Sequence, residues 1–160
     1  ESFLIPNGYR GEIVIFFEEP CGREPIYENG RRLYTLSNAG HLITKFKVNR
    51  GYFDREFFFV DEQGSRSKIP EFHWQNFETE TKEWNLYRQT PVEEFTKETV
   101  GAFWAYGSET YVISQKSFAY LIWSYNDFER EQQVLRNERK ASSERADLYL
   151  HACREIGESP

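Results

Sequence analysis

The histidines and cysteines of this sequence are the side chains best suited to bind metal or act as nucleophiles. His41, His73 and His151 are far apart, and no His-x-His or His-x-x-x-His pair occurs. Cys21 and Cys153 do not form a metal-binding motif, since zinc sites pair such ligands at short, regular spacing. The sequence therefore predicts neither a metal site nor a cofactor.

Nucleophilic catalysis has equally little support in the sequence. A Cys–His pair needs both side chains on one surface, whereas His151 and Cys153 are two residues apart and would face different sides of a helix. No G-x-S-x-G sequence is present to form the turn that presents a catalytic serine. No glycine-rich loop opens a helix, so a phosphate cradle is not predicted either.

Carboxylates and tryptophans are the remaining candidates for a site. Acidic pairs such as Glu18-Glu19 recur, but a glycosidase needs two acids that face each other across a cleft. Exposed tryptophans could stack against a sugar, although aromatic residues on strands usually fill the core. The candidate ligand-binding residues are His73 with Glu71, and Trp74 or Trp84 as a stacking platform.

Cys21 and Cys153 allow two interpretations. In an exported protein they can form one disulfide that joins the two ends of the chain. It would close a very long loop and contribute about 4–5 kcal/mol in the chain-entropy model. The alternative is two free thiols, with Cys21 in a turn and Cys153 on a helix face.

Composition limits the class of protein. The chain has 160 residues, with 14 Phe, 10 Tyr and 4 Trp, which is enough aromatic surface for a full core. Its formal net charge of −6 disfavours nucleic acid, which binds clustered Lys and Arg. No apolar stretch approaches the roughly 20 residues of a membrane-spanning helix, so no membrane span is predicted.

Residues 12–17 predict a strand that is covered on both faces. Ile13, Ile15 and Phe17 would point to one side of this strand, and Val14 and Phe16 to the other. Its length and its β-branched residues favour a strand over a helix. A strand that is apolar on both faces belongs in the centre of a sandwich or beneath a helix.

Further strands are predicted between turn signals. Residues 32–36 and 41–48 form two of them, the second with alternating apolar and polar side chains. Residues 55–69 predict a hairpin around a polar loop that ends in glycine. A last pair of strands, residues 99–106 and 110–114, is predicted around Gly107-Ser108. Such spacing is typical of an antiparallel sandwich with about seven or eight strands.

Near Ser114 the spacing of apolar residues changes from that of a strand to that of a helix. Phe118, Leu121, Ile122 and Tyr125 follow helical spacing, so a C-terminal helical extension is predicted over residues 115–160. Within it, residues 129–145 are almost wholly polar. Since packing alone cannot hold a helix that is polar all round, the predicted helix over residues 129–155 could project and associate with a second copy.

Residues 3–11 (FLIPNGYRG) carry a family resemblance. Together with residues 32–34 (RLY), 40–44 (GHLIT) and 57–64 (FFFVDEQG), they resemble a family of uncharacterised bacterial envelope proteins known as a domain of unknown function. The resemblance covers about residues 3–70 of the 160. It implies an exported protein, periplasmic or at the cell surface, with a lipid anchor upstream of Glu1, and it supplies no catalytic residues.

The predicted fold is one antiparallel β-sandwich over residues 1–114, transthyretin-like by analogy only, with a helical extension of the same domain over residues 115–160. The predicted function is a non-enzymatic binding or scaffold module of the cell envelope, whose partner is a protein or a small ligand. The alternative is a hydrolase, or a binder of small ligands such as carbohydrate, with its site at the rim of the sandwich.

Overall fold

The computed structural model describes residues 1–49, 54–72, 98–110, 115–124 and 147–156. The described residues form ten strands and one helix, α1, which spans residues 147–156. The strands are β1 (Ser2–Pro6), β2 (Gly11–Phe16), β3 (Ile26–Glu28), β4 (Arg31–Thr35), β5 (His41–Ile43), β6 (Glu56–Val60), β7 (Arg66–Ile69), β8 (Glu71–Phe72), β9 (Gly101–Thr110) and β10 (Gln115–Trp123).

The strands form two five-stranded sheets. Sheet A has the order β3-β4-β1-β6-β7, and sheet B has the order β5-β2-β10-β9-β8. Side chains from both sheets share one buried core, in which the ring centroids of Phe3 and Phe57 lie 5.4 and 4.9 Å from that of Tyr120. The predicted mainly β, sandwich-like fold is therefore confirmed.

The structure corrects the predicted antiparallel pairing, because both sheets are mixed. Strand β1 pairs parallel with β4 and β6, β2 pairs parallel with β5, and β8 pairs parallel with β9. The chain passes repeatedly between the two sheets, so a strand often returns beside an earlier one in the same direction. Parallel neighbours require such long crossover connections, which the short turn signals of the sequence do not reveal.

Strand β2 has the two buried faces that its sequence predicts. Ile13 and Ile15 point into the core between the sheets. Val14 and Phe16 point the other way and pack with Leu150 of α1. Sheet B is thus covered on one face by sheet A and on the other by the C-terminal helix, which explains why this strand is apolar throughout.

Two predictions about the C-terminal third are wrong. Residues 115–123 form β10 at the centre of sheet B, where Tyr120, Leu121 and Ile122 are fully buried, and they do not begin a helix. A short apolar run fits the helical and the buried-strand pattern equally well. Strand β9 also continues through Gly107-Ser108, so the predicted turn at those residues is absent.

Other predicted strands are close to those observed. The hairpin of β6 and β7 is confirmed, and its loop ends in Gly64 with φ of +83°. The predicted strand over residues 41–48 is shorter as β5, although Leu42 and Phe46 are buried as its alternation requires.

Candidate functional site

The ends of three parallel strands bring three loops together at one edge of sheet A. Strands β4, β1 and β6 are adjacent and run in the same direction, so their carboxyl ends lie side by side. The chain leaves them through residues 7–10, 36–40 and 61–65. The edge therefore gathers side chains from three separate parts of the sequence.

These loops enclose an open groove of about 830 Å³, called here the loop groove. Its floor is apolar and its rim is polar. The lining residues are Leu4, Ile5, Pro6, Asn7, Gly8, Tyr9, Thr35, Leu36, Asn38, Val60, Asp61, Glu62 and Gln63.

Backbone hydrogen bonds tie two of the loops to the ends of neighbouring strands. The amide of Asn7 donates to the carbonyl oxygen of Val60 at 3.0 Å, and the amide of Leu36 donates to that of Leu4 at 2.9 Å. Both bonds continue the parallel pairing past the strand ends. The positions of the groove walls are thus set by main-chain geometry, and the exposed side chains do not have to hold the loops together.

Tyr9 fixes the first loop against the second. Its hydroxyl donates to the carbonyl oxygen of Glu12 at 2.6 Å. Gly40 has φ of +79°, and a Cβ there would lie 2.0 Å from the Tyr9 hydroxyl oxygen. Only glycine satisfies both the backbone conformation and the close approach of the ring.

Asp61 has a structural role in the third loop. One of its carboxylate oxygens accepts hydrogen bonds from the amides of Gln63 and Ser65, at 3.0 and 2.8 Å. This arrangement is an Asx turn, in which the side chain replaces a backbone acceptor. Glu62 and Gln63, by contrast, are exposed at the rim of the groove.

The exposed groups of the loop groove suit binding by neutral hydrogen bonds. Asn7, Asn38 and Gln63 offer carboxamides that both donate and accept, Thr35 offers a hydroxyl and Glu62 a carboxylate. Asp61 and Glu62 are neighbours on one loop, so among the described lining residues no two carboxylates face each other across the groove. The arrangement can orient a polar ligand but lacks the acid pair of a glycosidase.

A second region, called here the helix clamp, covers the outer face of sheet B. It comprises α1 (residues 147–156) together with the residues of sheet B and of the turn at residues 19–23 that α1 contacts. Leu150 of α1 is only 1% exposed and packs on Val14, Phe16 and Ala119. The ring of Tyr149 lies 5.2 Å from that of His41. Residues 147–156 therefore pack on the sheet. Self-association through the predicted 129–155 helix remains a prediction, because residues 125–146 lie outside the described part.

Covalent and ionic bonds complete the helix clamp. Cys153 of α1 is joined to Cys21 by a disulfide with the two Cα atoms 5.7 Å apart. The next residue, Arg154, makes two hydrogen bonds to the buried carboxylate of Glu19, at 2.6 and 3.0 Å. Such a two-point Arg–carboxylate pair holds both partners in one orientation.

The turn that carries Cys21 is itself closely packed. A Cβ on Gly22 would lie 2.6–2.8 Å from backbone atoms of Thr44. Backbone hydrogen bonds from Glu19 to Thr44 and from Arg23 to Ile43 attach both sides of this turn to the end of β5. The disulfide therefore connects α1 to a firmly placed point of sheet B.

The structure places one of the four predicted ligand-binding residues. Glu71 lies in β8 and forms an ion pair with Arg55 at 3.7 Å. His73, Trp74 and Trp84 lie outside the described residues, so their grouping with Glu71 remains a prediction.

Sequence reasoning missed the loop groove as a site. Each of its loops was visible as a turn signal, at Asn7-Gly8, at residues 38–40 and at residues 61–64. Only parallel pairing brings the three turns to one edge, and that pairing leaves no local signal.

The described residues include neither a candidate metal site nor a candidate membrane span. No group of three or more His, Cys, Asp or Glu residues there could hold a metal ion. No described helix is long and apolar enough to cross a membrane.

The fold and groove define a mainly β, sandwich-like domain with a loop-built groove at one edge. A family model described as "Family of unknown function (DUF6843)" matches residues 1–102, and the chain belongs to this family. Those residues include all three loops of the groove.

The search of curated proteins found no match to the chain. Among solved structures, the chain is similar to the crystal structure of a candidate lipoprotein from Bacillus anthracis. The two are 14% identical with a TM-score of 0.48, and the match covers 76% of this chain and 67% of that one.

Proposed function

We propose that this protein is a non-enzymatic binding module of the cell envelope and that its ligand occupies the loop groove. One observation carries the proposal: three loops from separate parts of the sequence meet at the carboxyl ends of β1, β4 and β6. Concave sites with an apolar floor and a few converging polar groups are the usual form of a ligand pocket.

The chemistry of the groove favours binding over catalysis. One carboxylate oxygen of Asp61 accepts hydrogen bonds from two backbone amides of its own turn, which gives this residue a structural role. Glu62 is then the one exposed carboxylate among the described lining residues. A single exposed acid does not form the pair of carboxyl groups that glycoside hydrolysis requires.

Location in the envelope is supported by the bond between Cys21 and Cys153. Disulfides persist in oxidising compartments and are rare where glutathione and thioredoxin keep thiols reduced. The resemblance of residues 3–11 to envelope proteins points the same way. A lipid anchor upstream of Glu1 belongs to this proposal.

The test of the binding function is a titration followed by amide NMR signals. Three classes of probe are added separately: neutral trisaccharides, an anionic trisaccharide and a neutral tripeptide. If the loop groove binds the ligand, at least one class of probe should shift the amide signals of Gly8 and Gly64 saturably, because these glycines lie in two of the groove loops. If no class shifts them, or if only signals of α1 move, the loop groove is not the binding site.

A further inference from the structure

The loop groove also indicates which class of ligand it takes. We infer that the ligand is a neutral oligosaccharide, recognised through the carboxamides of Asn7, Asn38 and Gln63; this inference rests on the proposed function. Three properties of the described residues support it: the charge of the lining, the shortness of the free strand edge at the groove, and the pattern of donors and acceptors.

Charge argues against an anionic ligand. The lining includes the carboxylates of Asp61 and Glu62, and its described residues include no Lys, Arg or His. Arg10, the last residue of the first loop, donates to the carbonyl oxygen of Tyr9 and lies 5.6 Å from the ring centroid of Phe59. Arg23 donates to the carbonyl oxygen of Thr35 at 3.5 Å, so both cations near the lining already have partners. The two carboxylates of the lining therefore disfavour a phosphate or carboxylate ligand, because like charges repel.

Sheet topology argues against an extended peptide. A peptide that binds by strand addition needs an exposed sheet edge. The groove lies at the ends of β4, β1 and β6, and each of these strands already has a neighbour on both sides in sheet A. Strand β4 pairs with β3 only as far as Leu33, so among the described residues the free edge near the groove is limited to the last two residues of β4. Strand addition needs a longer edge, and recognition therefore depends mainly on side chains and loop backbone.

The polar rim matches hydroxyl groups, each of which both donates and accepts a hydrogen bond. The carboxamides of Asn7, Asn38 and Gln63 supply both functions, and the Glu62 carboxylate adds an acceptor. All four residues are exposed, so a ligand can reach them without opening the fold. The half-buried ring of Tyr9 and the side chain of Val60 provide apolar surface against which a sugar ring can lie.

The deciding experiment compares chitotriose and maltotriose as neutral probes with trigalacturonate as the anionic probe and trialanine as the peptide. Calorimetry and amide NMR signals are recorded on the full chain with its disulfide intact. We expect saturable shifts at Gly8 and Gly64 with a neutral sugar, and at least tenfold weaker binding of trigalacturonate and trialanine.

The outcomes separate the two proposals. If trigalacturonate or trialanine binds in the groove as tightly as either neutral sugar, the ligand class is wrong and the binding function stands. If none of the probes shifts the groove signals, both proposals fail.

Variants at the rim test whether its carboxamides contact the ligand. Asn38→Ala and Gln63→Ala should each weaken neutral-sugar binding by about 3- to 10-fold, the loss expected for one hydrogen bond. Ser67→Ala is the matched control, because Ser67 is exposed on β7 outside the groove. Unchanged melting temperatures verify that all three variants fold. Equal affinities of all three variants and the parent chain would overturn the assignment of the rim.

Discussion

The loop groove and the helix clamp differ in how their side chains are used. The groove is positioned by backbone hydrogen bonds between its loops and the ends of neighbouring strands, which leaves most of its polar side chains exposed. The clamp places its side chains in contacts: Leu150 is buried, Cys153 is bonded to Cys21, and Arg154 is paired with Glu19. A region whose side chains are committed to packing contributes stability, whereas a region with exposed converging groups can recognise a ligand.

Substitutions in the two regions should therefore have different effects, on stability in the clamp and on binding in the groove. The clamp connects residues that are 132 positions apart in sequence, so its loss releases a large part of the chain. The loops of the groove are each short and close to their strands. Changes at the clamp should therefore lower the free energy of unfolding, and changes at exposed rim residues should mainly lower affinity.

Removal of the disulfide is the largest expected effect. The double variant Cys21→Ala, Cys153→Ala should lose about 4–5 kcal/mol of unfolding free energy, because the loop closed by this bond is very long. Urea unfolding of both proteins measures the difference. A reducing agent should destabilise the parent chain similarly and leave the double variant unchanged; equal stability of parent and variant would show that the bond does not hold the fold.

Leu150→Ala tests the apolar contact of the clamp. Leu150 is 1% exposed beneath α1, so its truncation should cost about 2–5 kcal/mol. Leu148→Ala is the matched control on the same helix, since Leu148 is 70% exposed and should change stability by no more than about 0.5 kcal/mol. Similar unfolding midpoints in urea for the two variants would mean that α1 does not pack as described.

Gly40→Ala tests the packing behind the groove. Gly40 and Gly64 have nearly the same φ, +79° and +83°, but a Cβ at Gly40 meets Tyr9 while one at Gly64 meets nothing within 4 Å. Gly64→Ala should therefore cost about 1 kcal/mol for the backbone conformation alone. Gly40→Ala should cost about 2–4 kcal/mol because Tyr9 must also move. Thermal unfolding compares them, and an equal loss would contradict the close approach of Tyr9.

The smallest effect concerns alkaline pH. Burial raises the pKa of Tyr120, and burial together with the nearby Glu1 carboxylate raises the pKa of Tyr34. The folded protein therefore keeps these protons above about pH 10, where tyrosines of the unfolded chain release theirs. The unfolded state then binds fewer protons, so stability is complete below about pH 10 and falls as the pH rises.

Melting temperatures at increasing alkaline pH test this direction. The parent chain should lose stability above about pH 10, and Tyr120→Phe should lose less over the same range because one buried phenol is absent. A parent melting temperature that stays constant or rises there would contradict the burial of these rings.

Local pattern predicted the parts of the fold that depend on local chemistry. The two faces of β2 followed from the alternation of Ile13 and Ile15 with Val14 and Phe16. The β6–β7 hairpin followed from its polar loop and Gly64.

Two features of the structure could not be predicted from the local sequence pattern. The run around Tyr120 fits both a helix and a central strand, and only its position between β2 and β9 makes it a strand. The loop groove depends on parallel neighbours that are about 30 or more residues apart in sequence, such as Leu4 with Thr35 and with Phe58. The location of such a site depends on which strands are neighbours in the folded protein, and turn residues in the sequence do not reveal this.

The most direct test of the parallel arrangement that forms the groove is NMR scalar coupling measured across two of its hydrogen bonds. The groove exists because β1 runs parallel to β4 and β6, and two bonds continue that pairing at the strand ends. We predict coupling from the Leu36 amide nitrogen to the Leu4 carbonyl carbon, and from the Asn7 amide nitrogen to the Val60 carbonyl carbon. Coupling of these amides to other carbonyls, in an antiparallel register, would separate the three loops and contradict the proposed site.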